Sequence, residues 1–131
     1  MTPLDKLEAF VLEHYSCALA WEGSALRDWI LWAFDHGYLF LVVGRNGHPA
    51  GMAIARPLAS PTESKTEHHP DADNIYIDLT ITKCKAAMKP LMAQIVNKFG
   101  VRNKICFKRY GRSEEPKFYD FRKFSLKILT S

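Results

Sequence analysis

Apolar residues recur at helical spacing in three segments of the chain, which we predict to be helices. The first begins at Thr2-Pro3-Leu4-Asp5, where threonine can cap a helix, proline fits its first turn and aspartate suits its positive end. The second begins at Gly23-Ser24 and ends near His36-Gly37. The third begins at about Lys89 and ends at Gly100, a residue type that suits the position after a helix. The apolar stripes are Leu26, Trp29, Ile30 and Ala33 in the second segment and Met88, Leu91, Met92, Ile95, Val96 and Phe99 in the third.

Strand patterns occupy the middle of the chain. Residues 38–43 form an uninterrupted apolar run, and residues 50–56 form a second run that ends at Pro57. The Asn46-Gly47 pair between them predicts a hairpin turn, because both residues tolerate positive φ. Residues 74–82 alternate in polarity, as expected for a strand with two different faces. One face holds Ile75, Ile77, Leu79 and Ile81, and the other holds Tyr76, Asp78, Thr80 and Thr82.

The remaining segments complete a mixed α/β pattern. The polar segment 58–73 predicts a long loop, and the pattern after the third helix predicts a strand at 105–108, a short helix at 114–122 and a final strand. The inner face of that final strand holds Phe124, Leu126 and Ile128. Residues 74–108 form a strand–helix–strand unit, which joins parallel strands. We therefore predict one α/β domain over residues 1–131, whose mixed central sheet combines an antiparallel hairpin with a parallel strand–helix–strand unit and is flanked by helices.

Composition excludes several classes of protein. Hydrophobic residues make up 47% of the chain and aromatic residues 12%, so the chain can bury a core and is not of the disordered class. No apolar run approaches the roughly 20 residues that span a bilayer. The first residues lack the basic and then apolar pattern of a secretory signal. Because Cys17, Cys84 and Cys106 are odd in number and widely spaced, we expect reduced thiols in a cytoplasmic protein that does not bind membranes.

Charge is distributed unevenly along the chain. Residues 1–82 carry 5 Lys or Arg and 11 Asp or Glu, whereas residues 83–131 carry 13 and 3. A clustered positive field attracts phosphates, so the second part of the chain is a candidate partner for an anion. The alternative is that the two parts attract each other within one domain, and both interpretations stay open.

The turn after the strand at 74–82 is the candidate anion site. The first N–H groups of a helix lack partners and its dipole is positive at that end, so a phosphate can bind there. Lys83, Lys85 and Lys89 add positive charge, and the small Ala86 and Ala87 let a ligand approach the backbone. The alternative is an ordinary helix start with solvated lysines.

A polar cluster in the long loop superficially matches a metal site. It consists of Glu67, His68, His69, Asp71 and Asp73. Metal ligands usually stand at fixed spacings or on rigid elements, and neither a cysteine nor a helical histidine pair accompanies this cluster. We therefore predict a solvated loop and no metal.

The predicted order of elements resembles that of the GCN5-related N-acetyltransferase family, without the usual first strand of that family. Residues 75–100 look like its acetyl-CoA-binding motif. Residues 118–124, Phe-Tyr-Asp-Phe-Arg-Lys-Phe, resemble its C-terminal signature, with Lys123 at a position where glycine is common. The pyrophosphate loop of the family corresponds to residues 83–88, in which Ala86 and Met88 stand at the two glycine positions.

The resemblance implies that an acetyl group is transferred from acetyl-CoA to a primary amine of a small molecule or protein. It implies that Tyr119 protonates the leaving thiolate and that Asp78 acts as the general base. The implied acetyl-CoA-binding residues are Thr80, Ile81, Thr82, Lys83, Cys84, Lys85, Ala86, Ala87, Met88 and Lys89. A homodimer is a further expectation.

Two other functions compete with acetyl transfer. One is a catalytically inactive module of the same fold that binds a partner or has a structural role. The other is nucleic-acid binding through a basic surface, with Phe107 and Tyr110 placed among the charges as base-stacking residues. The basic residues concerned are Lys98, Arg102, Lys104, Lys108, Arg109, Arg112 and Lys117.

Overall fold

The computed structural model describes residues 2–108 and 115–131. Within these residues the chain forms helices α1 (Pro3–His14), α2 (Ala25–Asp35), α3 (Met88–Phe99) and α4 (Phe121–Leu129). The strands are β1 (Leu39–Val43), β2 (Pro49–Pro57), β3 (Asn74–Thr82), β4 (Lys104–Phe107) and β5 (Lys117–Asp120). Short 3₁₀ helices cover Ser16–Ala20 and Lys85–Ala87. Nowhere in these two described ranges is a helix long and apolar enough to cross a membrane.

The five strands form one sheet in the order β1-β2-β3-β4-β5. The β1–β2, β2–β3 and β4–β5 pairs are antiparallel, and the β3–β4 pair is parallel. Helix α3 makes the crossover between the two parallel strands. The predicted α/β class is confirmed, with its antiparallel hairpin and its parallel strand–helix–strand unit.

The predicted start of α1 and the predicted starts and ends of α2 and α3 agree with the structure. Thr2 caps α1, since its Oγ1 accepts a hydrogen bond from the Asp5 N–H at 3.1 Å while the Asp5 carboxylate accepts one from the Thr2 N–H at 3.0 Å. The predicted inner face of α2 is buried throughout. Gly100 follows α3 with φ of 72°, a conformation that glycine adopts without strain.

The hairpin between β1 and β2 contains the Asn46-Gly47 pair, whose two residues both tolerate positive φ. Gly47 has φ of 78°, whereas no residue other than glycine in the described ranges has positive φ. The turn is closed by the Gly44 N–H, which donates to the His48 carbonyl at 2.8 Å. The predicted location of the turn is therefore confirmed, and within the Asn46-Gly47 pair only the glycine adopts positive φ.

The predicted elements at the C-terminal end are wrong in type. A strand, β5, stands where we expected a helix at 114–122, and α4 covers the residues expected to form the final strand. Helix α4 begins where the Asp120 carboxylate accepts a hydrogen bond from the Lys123 N–H at 2.9 Å. Phe121, Phe124 and Ile128 repeat at helical spacing, and Leu126, expected to face inward, is 52% exposed.

The main apolar core lies between the sheet and the helices, and α3 packs closely on β2. A second, small buried cluster consists of Leu58, Tyr76 and Cys106. Gly51 of β2 permits this approach, because a Cβ added to it would lie 3.0 Å from the Ala87 Cβ and 3.2 Å from the Leu91 Cδ1. Ala87 is only 3% exposed. The start of α3 is therefore fixed against the sheet by a contact that depends on two small residues.

Candidate functional site

Strands β3 and β4 are paired only where they begin. The paired residues are Asn74 with Lys104, Ile75 with Ile105, and Tyr76 with Cys106. Beyond Tyr76, β3 stays paired with β2 and β4 stays paired with β5, but β3 and β4 no longer pair with each other. One edge of β3 is therefore without a strand partner over residues 77–82.

A β-bulge lies where the two strands separate. Ile54 of β2 pairs with Leu79 and Ala55 pairs with Ile77, so Asp78 has no residue opposite it. A bulge bends its strand and increases the local twist. The bulge at Asp78 thus gives a physical reason for β3 to diverge from β4 immediately after Tyr76.

A cavity of about 650 Å³, which we call the splay cavity, lies beside the unpaired edge of β3. Six consecutive β3 residues, 76–81, line it, so the strand presents its edge to the cavity rather than one face. The other lining residues are His14, Tyr15, Thr62, Glu63, Lys65, Met88, Phe107, Lys108 and Phe124. This cavity can accept an extended ligand that pairs with backbone groups of β3.

Asp78 forms a buried ion pair with Arg56 of β2. The Arg56 Nε donates to Asp78 Oδ2 at 2.7 Å and its Nη2 donates to Oδ1 at 2.9 Å, and the two side chains are 0% and 1% exposed. The Arg56 Nη1 also donates to the Glu67 carbonyl in the long loop. Burial raises the pKa of Asp78, and the hydrogen bonds from Arg56 oppose that increase. The predicted general base thus lines the splay cavity as one half of a buried pair.

Tyr76 is a residue of this site to which the sequence analysis assigned no role. It is the last β3 residue paired with β4, and it lines the splay cavity together with Asp78. The Arg56 guanidinium lies 5.5 Å from the centre of its ring. Burial raises the pKa of Tyr76, so its hydroxyl stays protonated at neutral pH. The available sequence signal was its place on the same polar strand face as Asp78.

A second cavity of about 950 Å³, which we call the lysine cavity, lies between the start of α3 and α4. Its lining residues are Lys85, Ala86, Met88, Lys89, Tyr119, Asp120, Lys123, Phe124, Lys127, Ile128 and Ser131. Met88 and Phe124 line both cavities, so the two lie side by side. Four lysines thus surround a concave surface next to the unpaired edge of β3.

No protein-family model, curated protein or solved structure matches this chain.

The structure divides the ten predicted acetyl-CoA-binding residues into three groups. Thr80, Ile81 and Met88 line the splay cavity, and Lys85, Ala86, Met88 and Lys89 line the lysine cavity. Thr82, Lys83, Cys84 and Ala87 line neither cavity. The Lys83 N–H donates to the Ala50 carbonyl at 2.7 Å, and the Ala87 N–H donates to the Cys84 carbonyl at 3.1 Å. Ala87, expected to let a ligand approach, instead packs on Gly51.

Tyr119 does not line the same cavity as Asp78. Its ring stacks on Phe107, with centroids 5.0 Å apart and an interplanar angle of 18°, and lies 5.7 Å from the Phe124 ring. Tyr119 lines the lysine cavity, whereas Asp78 lines the splay cavity. The two predicted catalytic residues are thus not brought together around one cavity.

The two histidines of the long loop, His68 and His69, have different surroundings. The His68 Nδ1 lies 2.8 Å from the Tyr38 hydroxyl, and its ring packs at the edge of the Trp32 ring. His69 is exposed, with its Nε2 3.9 Å from a Glu67 oxygen. Across residues 2–108 and 115–131, no three His, Cys, Asp or Glu side chains are grouped to hold a metal ion.

Some of the residues expected to form a nucleic-acid-binding surface instead make contacts within the protein. The Arg102 Nε donates to the Phe99 carbonyl at 2.9 Å, and its Nη1 donates to the Ala72 carbonyl. The Phe107 ring stacks on Tyr119, so one of its faces is occupied. Three further members of the expected surface, Arg109, Tyr110 and Arg112, lie outside the described residues.

Two thiols differ in their surroundings. Cys84 is free and exposed near the start of α3, and Cys106 is free and buried in β4. Burial raises the pKa of Cys106 to about 11, which keeps it a thiol at neutral pH. The side chain of Cys17 lies outside the described part of the chain.

Proposed function

We propose that this protein is a divergent member of the GCN5-related N-acetyltransferase family that transfers an acetyl group from acetyl-CoA to a primary amine. The observation that carries the proposal is the separation of β3 from β4 at a β-bulge, beside two adjoining cavities. An exposed strand edge offers N–H and C=O groups to an extended, amide-containing ligand. The pantetheine arm of CoA is such a ligand.

In the proposed complex, the two amides of pantetheine pair with the β3 edge near Thr80 and Ile81. The thioester lies in the splay cavity, close to Tyr76 and Asp78. The phosphates of CoA reach the lysine cavity, where Lys85 and Lys89 contribute positive charge. The shared residue Met88 lies where the ligand passes from one cavity to the other.

The proposed reaction is direct attack of the amine nitrogen on the thioester carbonyl carbon. A C–N bond forms, the C–S bond breaks, and the sulfur leaves as a thiolate of CoA. Asp78 accepts the proton lost by the attacking nitrogen, through a water molecule. Tyr76 donates a proton to the thiolate, a role that the family resemblance assigns to Tyr119. Tyr76 suits this role because it lines the same cavity as Asp78.

A catalytically inactive CoA-binding module is the second candidate. It is favoured by the Arg56–Asp78 ion pair, which restricts the proposed base, and by the location of Tyr119 in the other cavity. Such a module would bind acetyl-CoA in the same two cavities without releasing CoA thiol. The two candidates therefore share a binding site and differ in turnover.

The test combines acetyl-CoA binding by calorimetry with CoA-thiol release in the presence of a panel of primary amines. Met88→Trp should abolish binding by filling the passage between the cavities. Val101→Trp adds the same side chain at a site that is 57% exposed and lines neither cavity, and should bind as the unaltered protein does. Binding with amine-dependent thiol release supports the enzyme, and binding without release supports the inactive module. Absence of acetyl-CoA binding would refute both.

A further inference from the structure

Two main-chain N–H groups at the start of α3, those of Ala87 and Met88, are already hydrogen-bonded and are not available to a phosphate. The Ala87 N–H is already bonded to the Cys84 carbonyl, and the Ala87 Cβ packs on Gly51. Ala86 and Met88 carry side chains at the two positions where the family resemblance places glycine. A diphosphate bound next to α3 therefore needs partners other than these backbone groups.

Helix α4 supplies such partners. Lys123 and Lys127 are four residues apart, so they lie on one face of the helix, and both line the lysine cavity opposite Lys85 and Lys89. None of these four lysines forms an ion pair with a carboxylate of the described residues. Asp120 also lines the cavity, but its carboxylate accepts a hydrogen bond from the Lys123 N–H and caps α4.

We propose that Lys123 and Lys127 of α4 complete a polyphosphate-binding site with Lys85 and Lys89, in which side-chain charge replaces the main-chain contacts of a glycine loop. The ligand class is a nucleotide that carries at least two phosphate groups, and its assignment to CoA rests on the proposed function. The site is concave, with an apolar floor of Met88, Phe124 and Ile128. A concave site of this size suits a compact nucleotide better than an extended nucleic-acid strand.

The experiment measures calorimetric binding of four probes: adenosine 3′,5′-bisphosphate, CoA, dephospho-CoA and pantetheine. The cavity variant is Lys123→Glu with Lys127→Glu. The matched control is Lys117→Glu with Arg122→Glu, which changes the net charge equally on β5 and α4 at exposed residues outside the cavity. Lys123→Gln with Lys127→Gln tests the loss of charge without charge reversal, and circular dichroism verifies that α4 is retained in every variant.

The cavity variant should bind the bisphosphate and CoA about a hundredfold more weakly, since each lost ammonium–phosphate contact costs about tenfold or more. The glutamine variant loses the same two ammonium–phosphate contacts and should also bind about a hundredfold more weakly, whereas the control should stay within about threefold of the unaltered protein. Equal losses in the cavity variant and the control would overturn the proposal, since they would indicate a general electrostatic effect. Tighter binding of a single-stranded oligonucleotide than of the bisphosphate, weakened equally by both variants, would also overturn it.

The outcomes separate this inference from the proposed function. If the bisphosphate binds through Lys123 and Lys127 but no amine is acetylated, the phosphate site stands and the enzyme assignment fails. If acetyl transfer occurs and the cavity variant has an unchanged affinity for CoA, the enzyme assignment stands and the role of α4 is refuted.

Discussion

Arg56 and Asp78 are charged side chains in a part of the sheet where apolar residues are the norm. Removing two charges from water costs several kcal/mol per ion, and only close hydrogen bonding offsets that cost. Arg56 meets this condition with two bonds to Asp78 and one to the Glu67 carbonyl. The pair therefore links β2, β3 and the long loop at the wall of the splay cavity.

Replacing one member of this pair should be more harmful than replacing both. Arg56→Leu leaves the buried Asp78 carboxylate without its partner and should lower the free energy of unfolding by about 3–5 kcal/mol. Arg56→Leu combined with Asp78→Leu should recover most of that loss, because no buried charge remains. Urea unfolding of the two single variants and the double variant measures the coupling. Additive losses would contradict a paired unit.

Substitution of Tyr76 and of Tyr119 tests which of the two tyrosines is the proton donor. If Tyr76 protonates the thiolate, Tyr76→Phe should lower kcat by about a hundredfold or more with little change in the affinity for acetyl-CoA. Tyr119→Phe should change kcat much less, because Tyr119 lines the lysine cavity. Amine-dependent thiol release measures both rates. The opposite ranking would assign the proton donor to Tyr119.

The start of α3 is the element whose position depends most on small residues. Gly51→Ala should destabilise the protein by about 1–3 kcal/mol, because the new Cβ would lie 3.0 Å from the Ala87 Cβ and the backbone must shift. Gly51→Ala combined with Ala87→Gly should regain part of this loss by removing the opposing Cβ. Thermal and urea unfolding measure the coupling. Equal stability of Gly51→Ala and the unaltered protein would show that α3 can move away without cost.

At the scale of secondary-structure elements, the C-terminal strand β5 and helix α4 show how a sequence pattern can predict the wrong type of element. Phe124, Leu126 and Ile128 alternate and so match a strand, but Phe121, Phe124 and Ile128 also match a helix. The Asp120 cap and the pairing of residues 117–120 with β4 decide between the two patterns. An aspartate at residue 120 is a sequence signal for a helix cap, whereas the pairing of β5 with β4 joins separate segments of the chain and has no local signal.

At the scale of the whole molecule, residues 83–131 carry an excess of positive charge, and four of their lysines, Lys85, Lys89, Lys123 and Lys127, line one cavity. Acetyl-CoA binding should therefore weaken as ionic strength rises from about 0.1 M to about 1 M, as the Debye length falls from about 10 Å to about 3 Å. Pantetheine is uncharged and should bind with little salt dependence. Calorimetry at several salt concentrations tests this. An acetyl-CoA affinity that does not vary with salt would contradict a site dominated by lysine charge.

The sequence by itself determined the class of fold and most element boundaries. Helix caps, apolar periodicity and glycine positions act over a few residues, so α1, α2, α3 and β3 were readable from local patterns. It also located the charge near Lys85 and Lys89. These features depend on residues that are neighbours in the sequence, so they can be predicted from the sequence alone.

Only the tertiary structure decided how distant residues meet. Arg56 and Asp78 are 22 positions apart, and their pairing depends on the β2–β3 register and its bulge. The packing of β5 and α4 after the crossover decides two further features. It places Tyr119 and Asp78 in different cavities, and it brings Lys123 and Lys127 to the same cavity as Lys85 and Lys89. Such contacts follow from strand register and helix packing over the whole chain, which local periodicity does not encode.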